Sequence, residues 1–344
     1  MVLCVQAMDP VTQVSLGAAA AALVSRPTSL RSALIIGAIA GAVPDLDVLI
    51  QSEYDPLLSL EYHRHFSHSL FMVPVIGCLV ALVYKGLLRS RAPDLLTCGL
   101  YAIMGTLSHG LLDACTSYGT RLYWPFSQYR ESWDLISIID PLFTLPILGL
   151  LLVAFICKRV HVARFGLILA GLYLGFAAYQ QRQAHNAILE LARQRAHGVH
   201  DLVLRPSFAN TVIWRSVYQH QGMYYVDAVR VLPGSEAKYY PGDSTPVLTP
   251  LQIEAWAQGQ PNILRDVARF QHFSQGYLYQ HPDDPTVLAD LRYALLPDSI
   301  YPLWGIRRPS HTDDPVQWVH YRKANQSAVN RLMAMLRGES LTAN

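Results

Sequence analysis

Six apolar stretches follow one another in the first half of the chain: Val11 to Val24, Leu30 to Val43, Leu70 to Leu88, Leu95 to Leu112, Leu135 to Cys157 and Phe165 to Tyr179. A bilayer's hydrocarbon core needs roughly 20 helical residues, and about 17 suffice at the short end. The third, fourth and fifth stretches meet that length. The first two are short and rich in Ala and Gly, which suits helices packed closely on their neighbours or a re-entrant pair. The sixth is marginal by length but carries no charge. The chain is therefore expected to be mainly α, with a polytopic membrane domain of about five to six apolar helices over residues 1–181.

The charges divide by face. If all six stretches cross, Arg26, Arg31, Lys85, Arg89, Arg91, Lys158, Arg159 and Arg164 fall on one face, and only Arg64, Arg121 and Arg130 on the other. Lys and Arg accumulate on the cytoplasmic side, so this bias places the first face there. Ten of the eleven acids before residue 182 fall on the opposite face, with Asp94 the exception. Acids contribute little to topology, and a cation site accounts for their segregation.

After Tyr179 the composition becomes that of a soluble protein. Gln180 to His200 reads as a polar helix leading out of the membrane. Thr211-Val-Ile-Trp-Arg-Ser-Val-Tyr218 and Met223 to Val229 alternate like strands, with turn signals at His220-Gln-Gly222 and Leu232-Pro-Gly234. Helices are expected over Pro250–Trp256, Ile263–Phe273 and Ala324–Leu336, and strands near Val287–Leu295 and Val316–Tyr321. Residues 182–344 thus form a smaller α+β domain, placed outside the cytoplasm by an even number of crossings. A net charge of +2 and no basic tract argue against nucleic acid as a partner. Cys4, Cys78, Cys98, Cys115 and Cys157 form no Cys-x-x-Cys pair and read as small apolar packing residues.

Polar residues concentrate at the ends of the apolar runs. His63-Arg-His-Phe-Ser-His-Ser69 lies between the second and third, Pro44-Asp-Leu-Asp47 ends the second, and His109 and Asp113 end the fourth. His109 and Asp113 are four apart on a helix and point to one side, so both can ligate one ion. His65 and His68 could do likewise if the third helix has begun there. Ionisable groups at a membrane are expensive and usually functional. Each motif alone is more often a solvated or interfacial group, and their convergence on one face carries the metal reading. Asp45, Asp47, His63, His68, His109 and Asp113 are the candidate ligands. A set of imidazoles and carboxylates without thiolate suits zinc, with manganese or iron as alternatives. Arg64 and Arg121 are candidates for an anion, since guanidinium matches phosphate, although either could instead pair with nearby acids. Ser67, Ser69 and Ser108 lack the Gly-x-Ser-x-Gly turn of a serine nucleophile. Tyr123, Trp124 and Trp133 read as an interfacial aromatic belt.

Met8-Asp-Pro-Val-Thr-Gln13 with Gly17, Pro44-Asp-Leu-Asp47, His63 to Ser69, His109-x-x-x-Asp113 followed by Gly119 and Trp124-Pro-Phe126, and Asp140-Pro141, taken in this order, carry a family resemblance. Over roughly residues 8 to 160 the chain resembles the bacterial inner-membrane metal-dependent hydrolases related to YdjM. Many members look to have His where this chain has Gln13, and Thr where it has Ser67. The Gln13 departure removes a ligand and puts a metal role for the N-terminal segment in doubt. The resemblance implies a multi-pass inner-membrane hydrolase. The expected substrate is a lipid or lipid-linked phosphoester at headgroup depth, with Asp47, Arg64 and Asp140 serving catalysis. Asp140 is expected to orient a ligand histidine, and Arg64 to hold a substrate anion. A metal-binding transporter and an assembly or regulatory protein are the rival readings.

Overall fold

Helix-starting residues decide where the apolar runs become helices. The structure, a computed structural model, describes residues 9–311, 314–321 and 326–341; Cys4, Met8 and the expected helix start at Ala324 lie outside them. Asp9 caps α1 (Pro10–Leu23) by accepting from Val11 N and Thr12 Oγ1, and Pro10 fits the first helical position because it has no N–H to leave unpaired. α2 (Leu30–Ala42) gives way to a 3₁₀ turn over Val43–Leu49 that has Pro44 in its first turn and carries Asp45 and Asp47. The short α3 (Leu58–Tyr62) precedes α4 (Val73–Leu88), and Asp94 caps α5 (Leu95–Ala114) through Thr97 N.

α6 (Pro141–Cys157) begins six residues later than the apolar run at Leu135, because Asp140 caps it through Leu142 N and Phe143 N. α7 (Val160–Gln194) is one continuous helix of 35 residues. It takes in the sixth apolar stretch and most of the polar stretch that follows. Among the described residues four helical runs are long and apolar enough to cross a membrane: Pro27–Leu49, Val73–Arg91, Leu95–Ala114 and Val160–Gln194. α1 and α6 are shorter. The second apolar stretch reaches spanning length through the 3₁₀ turns at its two ends. At 14 residues α1 is about 21 Å long, short of a roughly 30 Å hydrocarbon core.

The chain divides into two compact units, one of Met1–Ile50 with Tyr62–Ala178 and one of Gln51–Glu61 with Tyr179–Asn344. In the first, α1, α2 and α5 approach at backbone distance through glycines. A Cβ on Gly17 would lie 2.4 Å from Gly37 O, and one on Gly105 would lie 2.5 Å from the same oxygen. Only glycine permits that approach. Leu79, Leu82, Val83, Leu96, Leu145, Leu152 and Ile168 stay exposed on the outer faces of the helices, as a lipid-facing surface requires.

In the second unit β1 (His200–Pro206), β2 (Ile213–His220), β3 (Met223–Arg230) and β4 (Lys238–Pro246) form an antiparallel sheet in that order. His220 pairs with Met223, leaving Gln221 and Gly222 as a two-residue turn with φ of 47° and 76°. α8 (Pro250–Trp256) and α9 (Pro261–Phe273) lead to β5 (Leu278–Gln280), β6 (Val287–Asp290), β7 (Trp304–Arg307) and β8 (Gln317–His320), a second antiparallel sheet. α10 (Gln326–Arg337) follows. β2 is buried on both faces. Trp214 and Tyr218 pack with Ala184, Ile188 and Leu191 of α7, while Val217 packs with Tyr279, Val287 and Leu291. Segment 51–61 belongs to this unit, and the Arg269 guanidinium donates to both Asp55 oxygens at 2.9 Å and to Glu61 at 2.8 Å.

Candidate metal centre

Four side chains from three segments of the first unit converge on one point. Asp45 comes from the 3₁₀ turn after α2, His68 from a short turn over Phe66–His68, and His109 and Asp113 from one face of α5. His68 Nε2 lies 3.0 Å from Asp113 Oδ2 and 3.3 Å from Asp45 Oδ1, and His109 Nε2 lies 3.4 and 3.5 Å from the same two oxygens. Ligand atoms around a tetrahedral zinc with bonds of about 2.0 Å stand about 3.3 Å apart. Neither His109 Nε2 nor Asp113 Oδ2 has a hydrogen-bond partner, although both are buried. A buried nitrogen lone pair facing a carboxylate oxygen, with no hydrogen between them, is costly unless a cation lies between. The four residues fit a divalent ion on these observations.

The groups behind the quartet point its atoms inward. His109 Nδ1 donates to Gly41 O at 2.6 Å, which leaves Nε2 as the lone-pair nitrogen. His68 Nδ1 lies 2.9 Å from Ser67 Oγ and 3.2 Å from Asp47 Oδ2, so its Nε2 is likewise left for an ion. Ser67 Oγ in turn donates to Asp47 Oδ2 at 2.8 Å. Burial disfavours the charged form of His68, but Asp113, Asp45 and Asp47 outweigh it and hold the imidazolium well above its usual range. A proton and a divalent cation compete for that same electron pair. Asp113 presents Oδ2 to the site because Oδ1 accepts from Gln13 Nε2 at 2.8 Å and faces Arg64 at 3.2 Å. The glycines make this possible, since a Cβ on Gly110 would meet His68 O at 2.5 Å and one on Gly41 would meet Gln13 O at 2.6 Å.

Three expectations need correction. Arg64 does not present its guanidinium as a free anion site: it is fully buried, pairs with Asp113 Oδ1, donates to Thr116 Oγ1 at 2.7 Å and lies over the Tyr118 ring. Its charge is taken up by a carboxylate already inside the protein. Among the described residues Asp140 meets no histidine; its carboxylate caps α6 and accepts from Tyr173 Oη at 2.8 Å. His65 is not on a helix with His68, because α4 begins only at Val73, and its ring stacks on Tyr62. Asp47 and His63 stand beside the quartet. Asp47 Oδ1 faces His63 Nδ1 at 2.8 Å, and Asp45, Asp47 and His63 form a second group whose ligand atoms lie within 4.8 Å of one another. Arg121 donates to Gln128, and Tyr123 and Trp133 are exposed.

Gln13, which sequence reasoning set aside, stands directly behind the quartet. It offers no imidazole, but from α1 its Nε2 donates to Oδ1 of the candidate ligand Asp113. Gln13→Ala is expected to weaken divalent-metal binding by about 10–100-fold, the usual cost of losing such a partner, read by competition with a chelating dye. Arg64→Lys loses the fork and is expected to weaken binding by a similar factor of about 10–100. Unchanged metal affinity in that variant would return Arg64 to a substrate role.

The match to the YdjM inner membrane protein family runs over residues 8–184, just over half of the chain. The chain belongs to the YdjM inner membrane protein family. It is also similar to Inner membrane protein YbcI of Escherichia coli K12, 31% identical over 109 residues, which is 30% of this chain and 61% of that relative. The chain thus spans less than two thirds of that relative's length. No solved structure matches. The YdjM region ends inside α7, so it contains the quartet and the residues named behind it and leaves the eight strands of the described residues outside. Family and apolar helices together make this a membrane protein.

Proposed function

We propose that this YdjM-family protein is a membrane-embedded hydrolase that holds zinc between Asp45, His68, His109 and Asp113 and cleaves an amphiphilic ester, a lipid or lipid-linked phosphoester. The observation that carries the reading is the quartet itself: four converging atoms with His–Asp distances of 3.0–3.5 Å, two of them unpartnered. A divalent ion there supplies Lewis acidity and an activated water. The chain's own groups set its position: Gly41 O, Ser67 and Asp47 orient the imidazoles, and Gln13 and Arg64 hold Asp113.

The way in supports an amphiphile. Of the four side chains only Asp45 has any exposure, 15% against 0% for the others. Leu46 and Leu49 beside it are exposed, so a substrate reaching Asp45 passes apolar side chains. A conduit would carry ionisable groups through the helix centres; here they gather where α2 and α5 end, which favours a site over a path. With an even number of crossings before residue 182, the charge bias of the loops favours a periplasmic site and periplasmic residues 182–344.

The test is zinc-loaded protein in detergent, assayed against a panel of phosphomonoester, phosphodiester and acyl-ester lipids. Cleavage that a chelator and His109→Ala both abolish is expected, and a metal-loaded protein inert on the whole panel would contradict hydrolysis. A reporter fused after Gln194 should act in the periplasm and one at Arg89 in the cytoplasm; the reverse would invert the topology.

A further inference from the structure

We infer that the centre takes a second divalent ion, held by His63 and Asp47 and bridged to the first by the Asp45 carboxylate. The inference rests on the quartet being a metal site and adds an ion to it. Asp45 belongs to both groups of converging ligand atoms, the quartet and the set Asp45, Asp47 and His63. A carboxylate has two oxygens, and enzymes that use two ions hold them about 3.5–4 Å apart, close enough for one carboxylate to span.

His63 supplies an independent observation. Its ring is 3% exposed, and the nitrogen on the Asp47 side is Nδ1, which lies 2.8 Å from Asp47 Oδ1. Asp47 divides its two oxygens: Oδ2 accepts from Arg64 N at 3.0 Å and Ser67 Oγ at 2.8 Å, whereas Oδ1 faces His63 alone. The 2.8 Å between His63 Nδ1 and Asp47 Oδ1 suits a hydrogen bond, and it also suits adjacent ligands of a six-coordinate ion, about 2.8–3.0 Å apart for bonds of about 2.0–2.1 Å, with Nε2 then carrying the ring proton. Arg130 holds the His63 backbone through its carbonyl at 3.2 Å, so the ring is set by the fold.

Charge names the substrate class. Asp45, Asp47 and Asp113 bring three negative charges and Arg64 one positive charge, and one divalent ion neutralises the remainder. A second ion leaves the centre cationic. An anionic group completes it, which selects a phosphoester over a neutral acyl ester.

The experiment uses the full chain in detergent, stripped of metal and titrated with manganese, with bound ions counted per chain and the electron paramagnetic resonance spectrum recorded. Two ions per chain with an exchange-coupled spectrum are expected. His63→Gln should bind one ion and show the uncoupled six-line signal, and Asp47→Asn, which carries the same test should His63→Gln fail to fold, should do the same. One ion in the parent, two uncoupled ions, or two coupled ions in either variant would overturn the second site. A parent that binds no ion would remove the quartet reading as well.

Discussion

His109→Ala is expected to cut divalent-metal affinity several-hundredfold while leaving the helices folded. Structural zinc sites with four ligands are worth about 10–16 kcal/mol, so one ligand is worth about 2.5–4 kcal/mol, centred on a factor of a few hundred in affinity. His109 contributes its one lone-pair nitrogen and is replaced by nothing, since Ser108, its chain neighbour, donates to Gly105 O instead. The α5 backbone keeps its own ladder and the cap from Asp94, so the loss is local. Competition with a chelating dye measures the affinity and circular dichroism the helices. A variant within about threefold of the parent would mean that Nε2 of His109 holds no metal.

Gly37→Val is expected to damage both the fold and the metal site, although residue 37 touches no ligand. A Cβ there would lie 2.4 Å from Gly17 O and 2.5 Å from Ala21 Cβ, and the first is backbone that a rotamer change cannot move. α1 must shift from α2. Overpacking costs about 1–3 kcal/mol and more where backbone has to move, so the upper end is expected. The same shift separates Gln13 on α1 from Asp113 on α5 and moves Gly41 O from His109, which should weaken metal by at least about 10-fold. Gly99→Ala is the contrast, because nothing lies within 4 Å of its Cβ. There the helix is expected to gain about 0.5–1 kcal/mol with metal affinity unchanged. Thermal unfolding and metal titration of the two variants separate close packing from mere helix propensity, and equal behaviour would contradict the packing account.

The candidate ligands could be picked out because short-range geometry places them. His109 and Asp113 are four apart on a helix, and Pro44 ends the helix where Asp45 follows. What stands behind them was not legible. Gln13 is 100 residues from Asp113, and only the packing of α1 on α5 brings them together. Arg64 adopts a positive φ of 57°, and its direction depends on a turn that no periodicity reports. Asp140 precedes a proline, and that pattern marks a helix cap as well as it marks a site. In the second unit the β2–β3 hairpin showed through its alternation and its Gln-Gly turn. β4 did not, because Pro241, Gly242 and Pro246 read as loop; it is an edge strand, where proline is tolerated. β7 holds only four residues and includes Gly305, required because a Cβ would meet Leu288 O at 2.5 Å.

X-ray absorption at the zinc edge of the loaded, detergent-purified protein tests the central claim most directly. A first shell of nitrogen and oxygen at about 2.0–2.1 Å, with outer-shell scattering from imidazole that His68→Ala diminishes, is the result this account predicts. Sulfur at about 2.3 Å, or a shell without imidazole, would place the metal elsewhere and contradict it.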